Sequence, residues 1–405
     1  MRTFRNFLYL VIAILCLEVI KTLIERADFD ISYFLSTVII GLQFLLALGF
    51  VFVVLVQKLY RGKLQTAVAF ISYLVLVGLM ETLFSWWFYH PSKIPDYLIR
   101  SFRYYYYQYD MRVFQYDQRL TVYDPVLHYI LRPGARARYS NAEFDVEVCV
   151  NSLGLRDDSG SVHQPSVICL GDSYAMGWGV NQQETYPELL QHLTGRKVLN
   201  AGISSYGTAR ELLLLDRLDT TNLEYLIIQY CANDFVENDT FINSGYRLPI
   251  SDSCTLQRNM VRHRYNVLYY PGKHFLLIAQ AFLKQKINNV FPVFNLSANK
   301  QPAADIADHV QRFVDILYHS TIDFRKVKVI ITHIDDSGSI KRRFINEVQA
   351  LLRQSPYAER FGDQLRFADF SEVLSKEDYF ILDGHIKPSG HRKVAEKLAK
   401  TLQSY

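Results

Sequence analysis

The sequence predicts an α/β domain built on a mostly parallel five-stranded sheet, preceded by three transmembrane helices and a small β element. Three observations carry this. Three long apolar runs lie before His90. From Pro165 onward, short β-rich runs alternate with amphipathic helical patterns. The first of those runs, "VICL", ends abruptly on Gly171-Asp172-Ser173.

A chain of 405 residues is long for one domain, so several structural parts are expected. They are a three-helix region over 1–90, a connector with a small β element over 91–157, and an α/β domain over 158–405. The last carries an insertion at about 235–300. The formal charge of +4 is spread along the chain with no dense basic run, which excludes a nucleic-acid surface.

The apolar runs cover 7–24, 31–57 and 64–88, each near or above the ~18–20 residues a helix needs to cross a membrane. Arg2 and Arg5 before the first run resemble a signal peptide. No small-residue cleavage site follows, however, and two further spans stand directly behind. Cys16, preceded by bulky Leu15, is a poor lipoprotein site. Basic residues set the orientation. Arg2 and Arg5 precede the first span, Lys58, Arg61 and Lys63 join the second to the third, and the loop "ERADFD" is net acidic. The N-terminus is therefore expected in the cytoplasm and everything after His90 outside, with Trp86, Trp87, Phe88 and Tyr89 as an aromatic belt. Glu18, Lys21 and Glu81 fall at similar depth within the spans. A Lys21 pairing with Glu81 or Glu18 is expected, rather than an ion path.

Residues 91–123, with "RYYYYQYDMR", read as a connector at the membrane interface or as an aromatic sugar-binding surface. The stretch 124–158 alternates polar and apolar residues around turns, as a small β element does. Strands are then predicted at 166–171, 197–201, 224–231, 326–333 and 364–369. Helices are predicted near 185–194, 208–219, 303–319, 339–355 and 389–403. In such sheets the site forms beyond the carboxyl ends of the strands. Standing there are Ser173, then Asn200, Ala201 and Gly202, then Asn233 and Asp234 of "CANDF", then "THIDD", and finally Asp383 and His385 of "LDGHIKPSGH". A serine, a glycine, an asparagine and an Asp/His pair are the inventory of acyl transfer.

This set resembles the SGNH, or GDSL, hydrolase superfamily over roughly 151–405, which implies an SGNH-hydrolase-like three-layer sandwich. "NSLGLRDD" is also similar to membrane-linked bacterial members acting on cell-surface glycans. The resemblance implies that Ser173 is the nucleophile and that its N–H, the Gly202 N–H and the Asn233 amide form the oxyanion hole. His385 is then the general base and Asp383 its orienting carboxylate. Two features depart from the family pattern. Cys231 stands where a glycine is usual, and Asp383-Gly384-His385 is one residue tighter than the commoner spacing.

Other polar residues have structural readings. Asp172 supports a turn, Asp234 supports or caps, and His391 begins the last helix. His333, Asp335 and Asp336 are loop polarity, so neither metal nor cofactor is expected. Cys169 and Cys231 behave as buried apolar residues, and no disulfide is assigned. The insertion is either a subdomain on the α/β core or a lid. "NDT" at Asn238 and "NLS" at Asn295 match a glycosylation pattern short enough to occur by chance.

The function expected is a serine esterase or acyltransferase anchored in a bacterial inner membrane, with its catalytic domain periplasmic or extracellular. It acts on O-acyl groups, acetyl foremost, of an extracytoplasmic glycan through an acyl-Ser173 intermediate. Lipid ester hydrolysis is the near alternative. A non-catalytic glycan-binding or assembly component, docked through its helices on a membrane protein partner, is the alternative from another class. A scaffold need not keep Ser173 within hydrogen-bond reach of His385.

Overall fold

The computed structural model describes residues 2–59, 63–158, 160–290, 305–335, 341–362 and 364–404; Arg61, Asn295 and Asp336 lie outside them. The chain opens with α1 (Arg2–Ala27), α2 (Ser32–Leu59) and α3 (Lys63–Tyr89). Within them Arg5–Ala27, Ser32–Val56 and Ala67–Tyr89 are long and apolar enough to cross a membrane. At about 1.5 Å per residue, even the shorter stretches exceed a ~30 Å hydrocarbon layer. Helix α4 (Asp96–Tyr105) runs into a π-type turn, Tyr106–Asp110. Two antiparallel hairpins follow, β1 (Thr121–Asp124) with β2 (His128–Leu131), and β3 (Arg136–Ser140) with β4 (Asp145–Cys149). These form the expected small β element.

The α/β part begins with β5 (Val167–Leu170), α5 (Ser173–Met176), α6 (Tyr186–Thr194), β6 (Val198–Asn200) and α7 (Thr208–Leu215). It continues through β7 (Tyr225–Tyr230) and α8 (Asp234–Asn243), and the insertion adds α9 (Ser253–Asn266) and α10 (Lys273–Val290). Then come α11 (Ile306–Tyr318), β8 (Lys328–His333), α12 (Lys341–Leu352), α13 (Tyr357–Phe361), β9 (Leu365–Ala368) and α14 (Pro388–Gln403). By mutual contacts the chain falls into two compact units. One comprises Met1–Arg112, Arg258–Ala298 and Ile381–Asp383. The other comprises Val113–Gln257, Asn299–Phe380 and Gly384–Tyr405.

In the first unit α2 packs on α1 and α3, and α10 packs on α2, α3 and α4. The insertion therefore places its longest helix among the apolar helices, which neither expectation for it had foreseen. Arg262 Nη2 also donates to Asp28 Oδ1 at 2.6 Å, joining the insertion to the loop between α1 and α2. Lys21 Nζ lies 2.6 Å from Glu18 Oε1, less than one turn away. Glu81 is not its partner. The Glu81 carboxylate accepts from the N–H groups of Phe275 (2.7 Å) and His274 (3.4 Å) and from the hydroxyls of Tyr269 (2.9 Å) and Ser85 (3.3 Å). A helix start offers unsatisfied N–H groups and positive potential, which suits a carboxylate well. Tyr105 and Tyr106 of the tyrosine-rich connector are buried, so these two rings present no sugar-binding surface.

In the second unit the strand order is β6-β5-β7-β8-β9, with every neighbouring pair parallel. Val167, Cys169, Tyr225, Ile227 and Ile330 on one face join Tyr186 and Leu190 of α6 and Val394 and Leu398 of α14 in one apolar cluster. The alternate residues Ile168, Leu170, Leu226, Ile228, Val329 and Ile331 are also fully buried. Both faces are thus covered, which is why these strands read as continuous apolar runs. This is the three-layer sandwich expected, and each observed strand lies inside its predicted window.

The Glu81 contacts generate a test. The double variant Lys21→Glu/Glu81→Lys should give no more monodisperse protein in detergent than Glu81→Lys alone. Recovery by the swap would argue for a Lys21–Glu81 pair.

Candidate active site

β5 ends at Leu170, and the chain turns through Gly171 and Asp172 into α5, four residues long, with Ser173 first. Asp172, not Ser173, is the cap: its Oδ1 accepts the Tyr174 N–H at 2.9 Å. Burial pushes the Asp172 carboxyl upward. Ser173 is left to present its Oγ at the carboxyl edge of an interior strand, 2.7 Å from His385 Nε2. Gly177 closes α5 at φ 89°, a conformation that favours glycine.

His385 sits in the loop before α14. That loop is tied by Phe380 N–H to the His385 carbonyl (2.8 Å) and Gly384 N–H to the Phe380 carbonyl (3.1 Å). The imidazole is only 9% exposed and lies against Tyr174 and Trp178, with ring centroids 4.8 and 5.5 Å away. Tyr174 Oη also donates to the Gly384 carbonyl at 3.2 Å. The residue next to the serine therefore fixes the loop of the base as well as its ring. Asp383 is fully buried. Its carboxylate accepts the Tyr106 hydroxyl and its backbone carbonyl the Tyr107 hydroxyl, all three residues belonging to the first unit.

Gly202 follows β6. A Cβ there would meet Met176 N at 2.3 Å and Ala175 C at 2.7 Å, so the α5 backbone requires glycine at this position. The Gly202 N–H donates to Asn200 Oδ1 at 3.1 Å, an engagement the sequence did not disclose. Asn233 is exposed and heads α8. Its Nδ2 donates to Asp172 Oδ2 at 3.3 Å, and the amide carries a second N–H for another acceptor.

The "NSLGLRDD" stretch supplies the support. Asn151 Oδ1 accepts from Leu153 N (3.0 Å) and Leu155 N (3.1 Å). Arg156, fully buried, donates to the carbonyls of Val180 (2.5 Å), Glu147 (3.3 Å) and Met176 (3.5 Å), and also to that of Gly177. It thus fixes the chain on both sides of Trp178. Burial pulls its guanidinium down to about 10. Asp157 Oδ2 accepts the Asn200 N–H at 2.7 Å, and burial pushes its carboxyl up to about 7. Arg156 and Asp157 were not singled out from the sequence, and Asn200 was placed at its strand end without a role. An arginine inside an apolar, glycine-bearing stretch was the available signal.

The remaining candidates are structural. Asp234 Oδ2 accepts from Thr208 Oγ1 (3.1 Å) and Cys231 N (3.3 Å), in the supporting role expected. Cys231 belongs to the apolar core cluster, where burial drives its thiol up. Asn238 is fully buried and accepts the Ala209 N–H, a placement closed to glycosylation. His333 lies 3.3 Å from Asp335, with its ring beside those of Tyr230 and Phe344, which stack on each other at 4.2 Å. Among the described residues Asp157, Asp158 and Glu188 come close enough to share a cation, but Asp157 is engaged by Asn200 and Glu188 by His192. His391 is fully buried, and its Nδ1 accepts the Tyr186 N–H at the start of α6 at 3.1 Å. Burial lowers it to about 3.

Two outcomes follow. Gly202→Ala should cost about 1–3 kcal/mol through overpacking against α5 and slow covalent labelling of Ser173; melting temperature and labelling rate check both. His391 titrates near 6.5 when unfolded and near 3 when folded. The unfolded chain therefore gains protons first, and stability should fall as pH drops from about 6.5 toward 3. His391→Gln should flatten that acid limb of the melting curve while labelling of Ser173 persists.

No family model and no curated protein matches the chain. Solved structures do. A member of the lipolytic protein G-D-S-L family from Veillonella parvula is similar at 15% identity and TM-score 0.31, over 59% of this chain and 98% of its own. A family 2 carbohydrate esterase from Corynascus thermopiles shares 15% identity at TM-score 0.31, over 59% and 65%. An extracellular lipase from Streptomyces rimosus shares 14% at TM-score 0.27, over 58% and 98%. The second unit itself has the architecture that the resemblance to SGNH hydrolases implies, a five-stranded parallel sheet between helices with Ser173 at the end of a strand and His385 beside it.

Proposed function

We propose that the chain is a membrane-anchored serine esterase or acyltransferase that removes or moves O-acyl groups, acetyl foremost, on an extracytoplasmic glycan. The observation that carries this reading is the 2.7 Å contact between Ser173 Oγ and His385 Nε2. A non-catalytic scaffold need not keep it. With Nε2 unprotonated, His385 accepts the hydroxyl proton as Ser173 attacks the acyl carbon. The tetrahedral oxyanion is held by the Ser173 N–H and the Asn233 amide. The Gly202 N–H joins them only by sharing itself with Asn200. Collapse expels the sugar or lipid alkoxide, which takes the proton back from His385, and leaves acyl-Ser173. Water then completes hydrolysis, or a second hydroxyl completes transfer, with His385 again the base. Asp383 serves as the carboxylate that holds and stabilises the imidazolium.

The three apolar helices anchor the chain, with the N-terminus cytoplasmic and the second unit periplasmic or extracellular. A membrane protein partner that delivers acyl groups fits this placement.

A fluorophosphonate probe applied to the detergent-solubilised protein is expected to label wild type, with labelling lost in Ser173→Ala and reduced by more than about 10³-fold in His385→Ala. Acetylated glycans and short-chain lipid esters then compete for the labelled enzyme, and the stronger competitor gives the substrate class. Absence of labelling in folded wild type would overturn the catalytic reading.

A further inference from the structure

We propose that the insertion enters the bilayer. The turn 267–272 and α10 as far as Leu283 lie among lipid acyl chains in the leaflet at the Trp86–Tyr89 end of α3. The inference goes beyond the esterase reading and rests on α3 spanning the membrane.

The depth follows from α3. Its aromatic belt, with Trp86 and Tyr89 exposed, marks the interface. Glu81 lies five residues below Trp86, about 8 Å along the helix axis. At that depth α10 begins, with Phe275 N and Tyr269 Oη on the Glu81 carboxylate. On α2, Tyr270 Oη donates to the Thr37 carbonyl at 3.0 Å. A Cβ at Gly41 would come within 3.2 Å of that hydroxyl and 3.5 Å of Leu276. Phe275 reaches further and lines an open apolar pocket of about 330 Å³ with Phe52, Tyr73, Val77 and Met80.

The polar groups that open α10 are satisfied, as hydrocarbon demands. Glu81 takes the N–H groups that open α10, His274 Nδ1 meets Ser85 Oγ at 2.7 Å, and Tyr270 has its carbonyl. Lys273, fully buried, donates to the carbonyls of Tyr109 (2.7 Å), Leu268 (2.8 Å) and Asn266 (3.3 Å). The faces left open are apolar: Leu268 is 42% exposed and Leu283 43%. Exposed Lys284 and Lys286 follow directly and mark where α10 returns to the headgroups. The apolar part of α10 is too short to span, which suits a re-entrant element.

The test uses the full chain in phosphatidylcholine vesicles, with Cys16, Cys149 and Cys254 replaced by serine. Single cysteines at Leu268, at Leu283 and, as control, at exposed Leu79 of α3 carry a bimane. The expected result is that Leu268 and Leu283 lose fluorescence in brominated lipid, as Leu79 does, and resist aqueous iodide. Iodide quenching at Leu268 and Leu283, with Leu79 still quenched by lipid, overturns the insertion alone. If Leu79 is also untouched by brominated lipid, the spanning assignment of α3 fails, and the proposal with it.

Discussion

A buried guanidinium holds together the chain at the end of the sheet where Ser173 stands. Arg156 donates to carbonyls of Met176, Gly177 and Val180, and to that of Glu147 on β4. Without it the Val180 carbonyl would lose the donor it has, and Met176 and Gly177 would keep only the long contacts of 3.4 Å from Asn200 Nδ2 and the Val180 N–H; a buried carbonyl left unsatisfied costs about 1–3 kcal/mol. With Arg156 in place, the α5 helix ends where it must, Trp178 lies beside His385, and the α5 backbone comes close enough to Gly202 to exclude any side chain. The serine–histidine contact stands beside this support, with the Tyr174 hydroxyl holding the loop of His385.

The same logic recurs in the first unit. Glu81 meets the N–H groups at the start of α10, and Lys273 meets three carbonyls. In each case backbone dipoles meet a buried charge, joined at Glu81 by two hydroxyls and by His274 Nδ1 at 3.4 Å. The backbone partners are fixed by the chain path and do not depend on long side chains meeting. A counter-ion can be lost by one substitution, whereas a backbone carbonyl cannot.

The sheet was legible because strands covered on both faces are continuous apolar runs, as in "VICL" and "YLIIQY". The positions of Ser173 and His385 followed, since residues after strand ends share one edge. What stayed hidden depends on distance in sequence. Nothing local says that Glu81 meets Phe275, or that the Tyr106 hydroxyl reaches Asp383. The Asn200 side chain reaching its neighbour's N–H was local, but it requires a turn geometry that composition does not specify. The destination of α10 was hidden because its apolar stretch is too short to register as a span.

The first unit is stitched from Met1–Arg112, Arg258–Ala298 and Ile381–Asp383. During synthesis the apolar helices leave the ribosome long before α10 exists, and the stretch 381–383 follows later still. Until α10 is made, Glu81 has no helix start to cap and keeps only the Ser85 hydroxyl of its own helix. Maturation of this unit is therefore late and non-local. No single cut in the chain separates it intact from the rest.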